Sequence, residues 1–69
     1  MSFGKIIEER RKYLQIRQED LAELCNISTK SIQKIENNNA NPTLKTLQKI
    51  LDVLGMEMSI GIKKLNNES

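Results

Sequence analysis

Residues 18–37 read QEDLAELCNISTKSIQKIEN, and the fold turns on this stretch. In its first half Leu21, Ala22 and Cys25 recur at the i, i+1, i+4 spacing of one apolar helix face, while Glu19, Asp20, Glu23 and Leu24 fall off that stripe. Asn26 follows. Asparagine tolerates the left-handed conformation that closes a helix, so the spacing predicts a turn there. Ser28 is then placed to cap a second helix from Thr29, its hydroxyl accepting from a free N–H of the first turn. At about 100° per residue Thr29, Lys30, Gln33, Lys34 and Asn37 share an arc of roughly 140°, opposite Ile32 and Ile35. One face is anchored and the other is free.

The free side chains are of the types that hydrogen-bond base edges and phosphates in a major groove, and equally of the types that cover any solvated helix. Two short helices joined by a tight turn are, in addition, the geometry that sets a second helix into that groove. From about Phe3 to Gly55 the chain resembles the lambda-repressor-like (Xre/Cro) helix-turn-helix family. Arg11, Gln18, Leu21, Ala22, Ile27, Ser28, Ile32, Ile35, Glu36 and Asn37 carry the resemblance, with Asn41, Pro42, Thr43 and Leu44 at the entry to a later helix. It implies a mainly α, four-helix domain in which Thr29, Lys30, Gln33 and Lys34 face bases. Gln18 and Asn37 would meet phosphates at the two ends of the motif, with Arg17, Ser28, Asn39 and Thr43 completing the phosphate-facing set. Arg11 would pair with Glu36 and clamp the first helix to the third. The sequence departs from the family where glycine is usual, at Gln15, Asn26 and Asn38. It departs again at Arg17, which stands where Ser or Thr usually caps the second helix.

Outward from the motif, Phe3, Ile6, Ile7, Arg10 and Leu14 recur at helical spacing and predict a first helix from Phe3 to about Leu14, capped by Ser2. Residues 37–42, NNNANP, read as a loop whose Asn38 and Asn39 are turn formers or contacts to the nucleic-acid backbone. A fourth helix is expected from Leu44 to Leu54, capped by Thr43 and ended by Gly55, with Leu44, Leu47, Ile50, Leu51 and Leu54 as its stripe. The period then changes to two. Met56, Met58, Ile60 and Ile62 alternate with Glu57, Ser59 and Gly61, the pattern of a short C-terminal β-strand with one apolar face. With no second strand in the chain, its economical partner is the same strand of another copy, across a homodimer. With the resemblance, this predicts residues 1–55 as the helix-turn-helix DNA-binding domain, 56–62 as the dimerising strand, and 63–69, with Lys63 and Lys64, as a disordered tail.

Sixty-nine residues with one cysteine and no histidine support no disulfide pair and no zinc site, so a cofactor or metal is not expected. A core this small supplies about 3–5 kcal/mol, which again favours dimerisation. The net charge of +2 suits a nucleic-acid binder without singling one out. With no apolar h-region at the start and no run long enough to span a bilayer, a cytoplasmic protein without a membrane partner is expected.

A four-helix domain followed at once by LGMEMSIGIKK is similar to the HipB-type antitoxins. That likeness implies a homodimeric repressor on a near-palindromic operator, with a HipA-like kinase toxin as protein partner. A stand-alone Xre-type regulator, or a protein-docking module on the same fold, would share the motif without the toxin. An enzyme is not expected, since no nucleophile–base pair or carboxylate pair sits in a recognisable setting.

Overall fold

The computed structural model describes residues 2–59 and 61–62 and carries four α-helices there: α1 (Phe3–Tyr13), α2 (Gln18–Cys25), α3 (Thr29–Glu36) and α4 (Leu44–Val53). Three start on a hydroxyl. Ser2 Oγ accepts from the Lys5 N–H at 3.3 Å, Ser28 Oγ from Ser31 at 3.0 Å, and Thr43 Oγ1 from Thr46 at 3.1 Å. Each such cap is worth about 0.5–2 kcal/mol. The start of α2 is built differently. A guanidinium has no acceptor, so Arg17 cannot cap with its side chain; instead Asp20, three residues on, reaches back and accepts the Arg17 backbone N–H at 3.3 Å.

All four helices stop in the same way. A left-handed residue follows the last turn: Gln15 (φ 59°), Asn26 (58°), Asn38 (60°) and Gly55 (70°). The N–H groups of that residue and the next close back on the helix. The pairs are Gln15 to Lys12 and Ile16 to Arg11, Asn26 to Glu23 and Ile27 to Ala22, Asn38 to Ile35 and Asn39 to Lys34, Gly55 to Asp52 and Met56 to Leu51, all between 2.8 and 3.1 Å. This is the Schellman arrangement, which satisfies carbonyls that would otherwise be orphaned. Ile16, Ile27 and Met56, the residues just past the left-handed position, pack against the core. The fourth, Asn39, is exposed. Three of the four left-handed sites thus lack glycine, and Gln15 fits worst because its side chain offers no local compensation. Gln15→Gly is therefore expected to stabilise the chain by about 0.5–1 kcal/mol, read as a raised urea midpoint at unchanged slope.

The core is Ile7 from α1, Leu21, Ala22 and Cys25 from α2, Ile32 and Ile35 from α3, and Leu47, Ile50, Leu51 and Leu54 from α4 and its end. Ile7, Leu21, Ile32, Ile50 and Leu54 lose essentially all contact with water, each worth about 1.5–3 kcal/mol before chain entropy is counted. Helix α3 packs on both α1 and α2, and α2 packs in turn on α4. At Gly4 the α1 backbone lies directly on the last turn of α3, where an added Cβ would stand 2.6 Å from the Ile35 carbonyl oxygen and closer still to that of Glu36. Phe3 and Leu44 sit on the apolar spacing of their helices but are 48% and 60% exposed.

No strand forms among the described residues. Met56, expected as the first apolar residue of a strand, belongs to the end of α4: its N–H is taken by the Leu51 carbonyl and its side chain lies on the core. Met58 and Ile62 are exposed, and Ile60 and residues 63–69, Lys63 and Lys64 included, lie outside the described residues. No helix among the described residues is long and apolar enough to cross a membrane.

Candidate nucleic-acid interface

The interface is built outward from a buried ion pair. Arg11 on α1 and Glu36 at the end of α3 are 8% and 5% exposed and meet side-on, Nε to Oε2 at 2.7 Å and Nη2 to Oε1 at 3.0 Å. Arg11 Nη1 also donates to the Ile16 carbonyl at 3.0 Å, so one guanidinium fixes the end of α1 and the end of α3 together. The hydrogen bond to Glu36 holds Arg11 above its ordinary pKa in spite of desolvation. Gln18 Nε2 donates to Glu36 Oε1 at 3.0 Å. Since a carboxylate only accepts, the Gln18 amide can lie only one way round, with Oε1 turned outward. There it takes a long bond of 3.5 Å from Gln33 Nε2. A line of contacts thus runs from the core to the exposed face of α3.

On that face Lys30, Gln33, Lys34 and Asn37 are exposed and Thr29 is half-buried, while Ile32 and Ile35 are buried behind them. The α2–α3 turn is held by Asn26 and Ile27, and Ser28 fixes the first turn of α3. Ser28 and Thr43 are already engaged as caps, and each lies beside a second hydroxyl, Ser31 at 2.9 Å and Thr46 at 3.0 Å. Asn39 is exposed in the loop after α3. Asn38, read as a turn former or a backbone contact, is structural: its Oδ1 accepts the Gly4 N–H at 3.3 Å and its Nδ2 donates to Ser2 Oγ at 3.1 Å. It ties the start of α1 to the end of α3.

Arg17 is exposed but engaged. Its Nε donates to Asp20 Oδ2 at 3.1 Å, Nη2 to Oδ1 at 3.4 Å, and Nη1 stands 3.6 Å from Glu19 Oε1. Hydrogen bonds from the Arg17 side chain, then from its backbone, hold the Asp20 carboxyl below its usual value, and the same contact raises Arg17. Periodicity placed Arg10 on the apolar stripe of α1, yet its Nε donates to the Leu54 carbonyl at 2.9 Å, capping the end of α4, and its guanidinium lies 5.3 Å over the Tyr13 ring. A contact across 44 residues leaves no mark in local spacing. Cys25 is 2% exposed and burial pushes its thiol pKa up, so it packs as a small apolar group.

Two short helices at a fixed turn, the second anchored by isoleucines and offering a polar face, define a helix-turn-helix protein. A helix-turn-helix family model matches residues 7–60, and the chain belongs to that family, in its lambda-repressor-like (Xre) branch. An HTH-type transcriptional regulatory protein of Methanococcus maripaludis is 39% identical over 59 residues, 86% of this chain and 18% of that protein. The immunity repressor protein of Bacillus phage phi105 is 36% identical over 59 residues, 86% of this chain and 41% of the repressor. The chain thus spans less than half the length of these relatives. Among solved structures, the master regulator for biofilm formation SinR in complex with DNA superimposes with a TM-score of 0.73 at 29% identity, covering 78% of this chain and 87% of SinR. Membership gives the chain the helix-turn-helix domain of relatives that are named as transcriptional regulators and as a repressor.

Proposed function

We propose that the protein is a sequence-specific transcriptional repressor that binds a near-palindromic operator as a homodimer, α3 of each copy entering one of two major grooves roughly 34–36 Å apart. The observation that carries this reading is the exposed polar face of α3, backed by buried Ile32 and Ile35 and braced through Gln18 and Glu36. Thr29, Lys30, Gln33 and Lys34 read bases. Gln18 and Asn37 meet phosphates, joined by Arg17, Ser28, Asn39 and Thr43. With one N–H given to Gln18, Gln33 keeps one N–H and its carbonyl oxygen, the donor and acceptor that an adenine edge takes up. The experiment is selection of bound duplexes from a random pool, followed by binding of the best site across salt concentrations. A paired half-site and a falling affinity with salt support the reading, and salt-independent binding of no DNA in particular leaves a protein-docking module. In that assay Lys34→Ala is expected to lose about 1–3 kcal/mol of discrimination at one base pair, whereas an equal loss on every duplex makes Lys34 a phosphate contact.

Within this reading the antitoxin of a HipBA-like toxin–antitoxin module is favoured by the apolar alternation after α4, where Met58 and Ile62 are exposed at 40% and 99%. Residues 57–62 pair with the same segment of the second copy, and a HipA-like kinase toxin binds the dimer. Purification of the tagged chain from its native cell tests this. A larger protein at fixed ratio supports an antitoxin, and a bare dimer on DNA leaves a stand-alone Xre-type regulator.

A further inference from the structure

We propose that Asp20 acts as a brake on DNA affinity: it holds Arg17, a phosphate contact, in an ion pair that must open before the guanidinium reaches the backbone. The inference rests on the DNA-binding reading above and adds a residue to it. Arg17 is the residue immediately before Gln18, which bonds Glu36 and reaches Gln33 on the exposed face of α3. Its guanidinium is turned away from a free role. Nε and Nη2 face the two oxygens of Asp20 and Nη1 faces Glu19, although the side chain is 72% exposed and no packing holds it there. DNA phosphate therefore competes with two carboxylates for one cation.

The brake is weak by design of its surroundings. An exposed pair of this kind alters an equilibrium by about 1.4-fold to 5-fold, so a phosphate can displace it. Asp20 cannot simply be absent, because its carboxylate also accepts the Arg17 backbone N–H and closes the start of α2. Asn at this position keeps an acceptor for that N–H and removes the charge. Removing an acid near DNA also raises affinity through the general field, and only coupling to Arg17 separates the two effects.

The test is a double-mutant cycle on the full chain, Asp20→Asn, Arg17→Gln and both together, with thermal melts by circular dichroism to verify folding. Binding to a random-sequence duplex is measured between about 50 and 200 mM salt. Asp20→Asn is expected to tighten binding by about 1.4-fold to 5-fold per chain with the log–log salt slope little changed, since Arg17 meets the same phosphate in both chains, whereas Arg17→Gln should flatten that slope by about 0.9. In the Arg17→Gln background only the smaller gain from the general field should remain. Equal gains with and without Arg17 overturn the brake in favour of the general field, and an inert Asp20→Asn overturns it outright. Wild-type chain without salt-dependent binding defeats the DNA reading itself and the brake with it.

Discussion

Arg11→Ala is expected to remove about 3–5 kcal/mol of stability, because it leaves the Glu36 carboxylate buried with a single amide donor beside it. A domain of this length holds about 3–10 kcal/mol in all, so the variant should be partly or wholly unfolded at ambient temperature. The loss has a second component. Arg11 Nη1 also satisfies the Ile16 carbonyl just past the left-handed Gln15, so α1 loses its terminus along with its link to α3. Arg11→Lys should recover little, since an ammonium cannot make the side-on pair and reach Ile16 together. Replacing both partners, Arg11→Met with Glu36→Leu, should recover most of the loss, because no charge then remains buried. Urea unfolding of the three variants decides the matter, and a deficit below about 1 kcal/mol for Arg11→Ala would mean that the pair is effectively solvated.

Gly4→Ala presents a conflict of signs. In an exposed helix this change gains about 0.5–1 kcal/mol, since alanine restricts the unfolded chain and favours helix. Here the new methyl would overlap the carbonyls of Ile35 and Glu36, and backbone atoms of a helix end cannot swing aside as a side chain can. The overlap should win, at a net cost of about 1–3 kcal/mol. Relief requires α1 to lift from α3, which stretches the bonds from Asn38 to Gly4 and Ser2 and strains the Arg11–Glu36 clamp. Amide exchange should accordingly quicken in the first turn of α1 and at residues 38–39 before it does so in α4. A variant as stable as the parent would show that the two helices separate without cost.

The helices were readable because their ends are written in local chemistry. Ser2, Ser28 and Thr43 are hydroxyl caps, and Asn26 and Gly55 are residues that enter the left-handed region readily. Apolar spacing gave the buried faces of α2, α3 and α4, and failed at Phe3 and Leu44, each the first residue of its helix and exposed. Gln15 was legible only through likeness to a family, since nothing in a glutamine announces a positive φ. The pairing of Arg11 with Glu36 came from the same source, as periodicity cannot link positions 25 residues apart. Asn38 was read correctly as a turn former, but its ties to Gly4 and Ser2, like the roles of Gly4 and Arg10, were missed for that reason: each acts on a segment more than 30 residues away. At Arg17 the rule that hydroxyls cap helices pointed to a weak start, whereas the compensation came three residues on, from Asp20. The strand expected at Met56 illustrates the opposite error. Met56 was counted into the alternation because an apolar residue after the left-handed glycine is also what a Schellman end requires.

Cys25 gives the molecule its own clock. The single thiol lies 2% exposed between α2 and the rest of the core, with its ionisation suppressed by burial. A thiol reagent meets it only when α2 comes away, so the labelling rate in native buffer reports how often that happens without any probe being engineered in. If operator DNA clamps α2 against α3, saturating duplex will slow that clock by the same factor that it stabilises the closed chain.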